Sequence, residues 1–105
     1  MKKHYNKLVR DRVPEIIKEA GKSCICHLVM GDTLISYAHK KRREEIEEFI
    51  EDPCAEEAAD VMEIFHFLCD LYGIRDSQIM ATSTAKRITK GGFNEGTVLS
   101  WVESK

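Results

Sequence analysis

At 105 residues the chain has the length of one domain with a modest core, one that a partner subunit would help to complete. An apolar fraction of 43%, a charged fraction of 32% and a net charge of -2 describe an ordinary water-facing protein and give no footprint for a nucleic-acid polymer. No apolar run reaches the length of a membrane span, and the N-terminus lacks an apolar signal segment, so a cytoplasmic location and no membrane partner are expected.

Residues Met1 to Val13 read as irregular and carry Lys2, Lys3, Lys7, Arg10 and Arg12. Pro14 suits the first turn of a short helix, with Val13 pushed out of the helical region and Gly21 as its stop. Asp11 is placed to cap that helix or to organise Arg10. The β-forming run Ser23 to Met30 favours a short strand. Asp32 is a candidate cap for a helix from Thr33 to about Glu51, whose apolar side gathers Ile35, Ala38, Ile46, Phe49 and Ile50. Pro53 marks a break. The next helix, from about Cys54 to Leu71 and ended by Gly73, is apolar over most of its circumference, which places it centrally and near a homodimer interface. Asp76 or Ser77 caps a further helix to about Thr89, stopped by Gly91-Gly92. Thr97 to Val102 is again β-forming and would pair with Ser23 to Met30. The expected fold is mainly α: an antiparallel bundle of about four helices with a short β-ribbon, dimerising through its central helices.

The four cysteines are Cys24, Cys26, Cys54 and Cys69. Without a secretion signal they read as reduced thiols. Cys24-Ile25-Cys26-His27 has the wrong spacing for a zinc knuckle, and no second pair follows it.

The chemistry lies in two acidic phrases, Glu44-Glu45-Ile46-Glu47-Glu48 and Glu57-Ala58-Ala59-Asp60. A helix turns about 100° per residue, so Glu57 and Asp60 fall roughly 60° apart, on the side of Ile64, Leu68 and Leu71. Carboxylates on a face due for burial are costly unless a cation or hydrogen bonds compensate them. Glu45 and Glu48 stack similarly on the preceding helix, and the short turn at Asp52-Pro53 should bring the two pairs face to face. Four carboxylates with little nitrogen or sulfur make a hard-oxygen site suited to magnesium or manganese, and magnesium usually arrives with phosphate co-ligands. Against this stands a solvated acidic face, in which Lys40, Lys41 and Arg43 pair with Glu44, Glu45 and Glu47. A di-iron bundle would need two Glu-x-x-His copies. The chain has one, Glu63 to His66, and it points away from Glu57 and Asp60.

These residues resemble the all-alpha nucleoside triphosphate pyrophosphohydrolases, the MazG and phosphoribosyl-ATP pyrophosphohydrolase superfamily. Its Glu-Glu-x-x-Glu and Glu-x-x-Asp signature is matched by Glu44, Glu45, Glu48, Glu57 and Asp60. The run Tyr5 to Pro14 resembles the N-terminal phrase of the small members, and Lys86-Arg87 with Lys90-Gly91-Gly92-Phe93 resembles their C-terminal phrase. The eight residues between Glu48 and Glu57 make a shorter spacer than the family's and suit a divergent or specialised member. The resemblance implies magnesium-dependent hydrolysis of a nucleoside triphosphate, or a related nucleotide, to monophosphate and pyrophosphate, as in clearing aberrant nucleotides. Manganese would be a substitute metal. It implies metal ligation by Glu45, Glu48, Glu57 and Asp60. Glu44 would orient or deprotonate water, or act as a ligand. Lys7, Arg10, Arg87 and Lys90 would grip phosphate. The alternatives are a non-catalytic nucleotide-binding or regulatory helical dimer, and a purely structural one.

Overall fold

A computed structural model describes residues 1–104. Four helices follow in order: α1 (Val13–Glu19), α2 (Gly31–Glu51), α3 (Ala55–Leu71) and α4 (Asp76–Lys90). The described residues contain no strand, so the mainly α expectation holds. Ser23 to Met30 and Thr97 to Val102, expected to pair as a ribbon, carry no regular structure. A lone pair of strands has too little surface of its own to hold a ladder together. No described helix is long and apolar enough to cross a membrane. The chain divides into two compact units, Met1–Gly73 and the segment from Ile74 onward.

In the first unit, α1 begins one residue earlier than the proline suggests. Val13 is its first residue, donating its N–H to the Arg10 carbonyl at 3.0 Å, and Pro14 follows in the first turn, where a missing N–H costs nothing. Asp11 does not cap it. Arg12 stands at the N-cap without a side-chain cap bond. Asp32 is likewise inside α2 rather than at its cap, which is Met30. There the carboxylate complements the N-terminal end of the helix dipole instead.

Helices α2 and α3 form a hairpin. Ala38 packs in one cluster with Ile64 and Leu68, while Glu45 lies beside Glu57 and Asp60. Positions descending along α2 therefore meet positions ascending along α3, which makes the pair antiparallel. At the far end His39 Nε2 and Tyr72 Oη are 2.8 Å apart. Tyr72 closes α3, and Gly73 takes a φ of 73°, the left-handed turn glycine tolerates best.

The buried seam of α2 is not its most apolar side. Ala38 is fully buried and Glu45 is 5% exposed, whereas Ile46, Phe49 and Ile50 are exposed. Ile46 and Ile50 lie about 80° and 120° around the helix from Ala38, off the line that meets α3. On α3, Ile64, Leu68 and Cys69 are buried while Met62, Phe65 and Tyr72 are exposed. In an antiparallel pair, Ile46, Ile50, Met62 and Phe65 rotate to the same flank of the hairpin. The opposite flank is covered by the N-terminal segment, whose Leu8 packs with Phe67 and Leu71 against the core cluster.

The second unit carries α4. Its start is tied by the Arg75 N–H donating to Gln78 Oε1 at 2.9 Å, so neither Asp76 nor Ser77 is the cap. Gly91, with a φ of 82°, ends it as expected.

The absence of any side chain beyond Cβ at Ala38 sets the approach of α2 to α3. Ala38→Leu should overpack the seam and destabilise the protein by about 1–3 kcal/mol. Urea unfolding followed by circular dichroism reads this as a lower midpoint.

Candidate metal centre

The two acidic phrases converge. Glu44, Glu45 and Glu48 of α2 form one group whose ligand atoms lie within 4.8 Å of one another, and Glu45, Glu57 and Asp60 form a second. Glu45 belongs to both and joins the two helices. The expected ligands Glu45, Glu48, Glu57 and Asp60 are thus neighbours, and Glu44 joins them. Helical spacing accounts for this: three residues separate Glu45 from Glu48 and Glu57 from Asp60, and the turn after Asp52 folds one pair onto the other.

Cations already sit among the acids. Lys7 Nζ donates to Glu44 Oε1 at 2.7 Å, and an Arg10 guanidinium nitrogen donates to Asp60 Oδ1 at 2.7 Å. Lys41 Nζ stands 3.0 Å from Glu45 Oε1 and 3.5 Å from Glu44 Oε1. The i,i+4 pair of Lys41 with Glu45 was foreseeable from spacing. The pairing of Lys7 and Arg10 with acids was not, and Asp60, rather than Asp11, is the partner of Arg10. The only sequence signal for it is the crowding of cations before residue 13 in a chain whose acids crowd later. Three cations pair with Glu44, Glu45 and Asp60, which leaves Glu48 and Glu57 with no ion pair among the described residues and the group net negative.

The donor set also leaves oxygens without partners. Glu45 Oε2 and Glu57 Oε2 are buried with no hydrogen bond. A buried carboxylate oxygen left unpaired costs free energy, and a coordinated hard cation removes that cost. All five side chains offer oxygen alone, the ligand chemistry of magnesium and manganese rather than zinc. The residues present fit such an ion. No group of three or more Cys, His, Asp or Glu at ligand distance forms around Cys24, Cys26 and His27 among the described residues.

Electrostatics separate the acids. Glu57 is pushed above the ordinary glutamate range, first by loss of water around its carboxylate, then by Asp60 and Glu45. Glu48 is pushed up chiefly by the charge of Glu45, with burial and Glu44 adding to it. Partial burial works against the charge of Glu44 too, but hydrogen bonds and charge from Lys7 and Lys41 outweigh it and hold Glu44 below its usual range. Lys7 is correspondingly raised by its bond to Glu44.

Arg87 and Lys90, expected to contact phosphate, stand exposed in the last turn of α4, in the second unit.

An acid whose folded pKa is raised destabilises the folded state once ionised, so stability is lost as pH rises through that window. In metal-free protein at neutral pH, Glu57→Gln should therefore raise the melting temperature. The advantage should shrink as pH falls toward the unperturbed glutamate value of about 4.3, because wild type then takes up the proton first in its folded state. Added manganese should reverse the order by stabilising wild type more. Differential scanning fluorimetry across pH, with and without the metal, checks both signs.

Comparison with family models, with curated proteins and with solved structures gives no match for this chain.

Proposed function

We propose that this chain is a magnesium-dependent nucleotide pyrophosphohydrolase, acting as a homodimer. One observation carries the reading: Glu45, 5% exposed, has an oxygen without a partner at the point where the acid groups of two helices meet. A structural helix pair has no use for a buried, half-satisfied carboxylate there. The resemblance of the acidic phrases and of the run Tyr5 to Pro14 to the all-alpha pyrophosphohydrolases supports the choice of substrate.

Glu45, Glu48, Glu57 and Asp60 would hold the ion. When bound, the ion neutralises phosphate charge and makes water a better nucleophile. Glu44, held ionised by Lys7 and Lys41 in the ion-free site and still flanked by Lys41 on its own helix, is a weak proton acceptor but a strong hydrogen-bond acceptor. Its role is to orient the attacking water. Water oxygen bonds to the α-phosphorus as the bond to the α–β bridging oxygen breaks, that oxygen departs with pyrophosphate, and the proton shed by the attacking water passes to bulk water. Lys7 and Arg10, which pair with the acids Glu44 and Asp60, would offset the charge developing on the leaving group. Arg87 and Lys90 are assigned the same role on the strength of the resemblance alone.

The second copy follows from the uncovered flank of the hairpin. Ile46, Ile50, Met62 and Phe65 are between 37% and 69% exposed, a cluster of large apolar side chains on two adjacent helices. A second copy presenting the same flank would bury both in one self-complementary contact. Phe65→Glu should convert a dimer to a monomer in sedimentation equilibrium with helix content retained. A wild type that sediments as a monomer at high concentration overturns this part.

Pyrophosphate release, measured across canonical and modified triphosphates with magnesium or manganese, tests the activity. Glu45→Gln and Asp60→Asn should each abolish turnover and the metal-induced rise in melting temperature, while circular dichroism stays unchanged. Full turnover in both variants refutes the site. A melting shift with nucleotide and metal but no pyrophosphate release would favour the non-catalytic binding module instead.

A further inference from the structure

The N-terminal segment does more than supply cations. Leu8 is seated on the core cluster of Ala38, Ile64 and Leu68, and on either side of it Lys7 and Arg10 reach different helices, Lys7 to Glu44 on α2 and Arg10 to Asp60 on α3. Just before Lys7, Asn6 has a left-handed φ of 47°, a region Asn enters more readily than most side chains. The segment therefore straps the helix hairpin at the level of the acids, with an apolar pivot between two charged ends.

The two ion pairs differ in kind from the buried seam beneath them. Their side chains are 37% and 29% exposed for Lys7 and Glu44, and 55% and 37% exposed for Arg10 and Asp60. Exposed pairs of this sort contribute little net stability and exchange readily. Lys41 is different: 17% exposed and held on the same helix as its partners Glu44 and Glu45. Asp60 is one of the four expected ligands, and Glu44 lies at ligand distance from Glu45 and Glu48, so a bound divalent ion would compete with the partner cation of each.

We infer that Lys7 and Arg10 are exchangeable counter-ions: they neutralise Glu44 and Asp60 in the ion-free site, are displaced when a divalent cation engages the carboxylates, and then turn about Leu8 to meet the phosphates of the substrate. This rests on the metal site under the pyrophosphohydrolase reading. It adds that the same two cations serve the empty and the loaded states in turn. Such a device lessens the repulsion among the five acids before metal arrives and presents positive charge to an anionic ligand only once metal is in place. It makes metal binding and phosphate binding mutually favourable without a large rearrangement, since only side-chain ends change partner.

Lysine acylation of the wild-type chain, read residue by residue by mass spectrometry, tests this with manganese alone and then with inorganic pyrophosphate added. Calorimetry of the manganese titration runs alongside. Labelling of Lys7 relative to exposed Lys2 should rise several-fold as manganese saturates. Labelling of Lys41 should stay level, and pyrophosphate should return Lys7 to its protected state. If manganese binds but Lys7 labelling does not change, or Lys7 and Lys41 rise together as a general change of local field would make them, the exchange is overturned while the metal site stands. If Lys7 remains labelled after pyrophosphate, the hand-over to phosphate is overturned. If calorimetry shows no manganese binding, both this inference and the metal-dependent reading fall.

Discussion

The close approach of α2 and α3 is the constraint on which the rest depends. Ala38, with no side chain beyond Cβ, sits fully buried against Ile64 and Leu68. That contact brings the backbones together, and the short turn after Asp52 fixes their register. With register fixed, Glu45 has no route to solvent and must lie beside Glu57 and Asp60. The apolar end of the seam thus forces the acidic end into being, and burial of Ala38, Ile64 and Leu68 offsets the cost of crowding carboxylates.

Crowding then dictates the electrostatics. Loss of water and then neighbouring acids raise Glu57, the charge of Glu45 raises Glu48, and Lys7 and Lys41 lower Glu44. One family of residue, on one pair of helices, is divided into acids that resist ionisation and an acid that is held ionised. The division follows from which acids the cations reach. Lys41 reaches Glu44 and Glu45 along its own helix, and Lys7 reaches Glu44 from the N-terminal segment. The negative charge that remains, together with two buried oxygens without partners, sets these acids apart from a self-contained salt-bridge network and leaves a donor set that suits a hard cation.

The two flanks of the hairpin differ in how they are covered. One is closed by Leu8, Phe67 and Leu71 and bears the ion pairs of the N-terminal segment; the other leaves Ile46, Ile50, Met62 and Phe65 uncovered. The acids lie on the flank that the N-terminal segment covers, away from these exposed apolar side chains.

Local information in the chain was enough for the four helices, their stops at Gly73 and Gly91, and the alignment of Glu45 with Glu48 and of Glu57 with Asp60, because these depend on backbone propensity and on a fixed turn per residue. It was also enough to foresee that the two pairs face each other, since only a short turn lies between them. It was insufficient for the extent of the buried side of α2: of the expected Ile35, Ala38, Ile46, Phe49 and Ile50, Ala38 is buried and Ile46, Phe49 and Ile50 stay exposed while Glu45 is buried, because burial is decided by what lies opposite and not by a residue's own hydrophobicity. Nor did it disclose the strap. Lys7 meets Glu44 across 37 positions and Arg10 meets Asp60 across 50, separations at which sequence spacing carries no distance and only the folded chain brings the charges together.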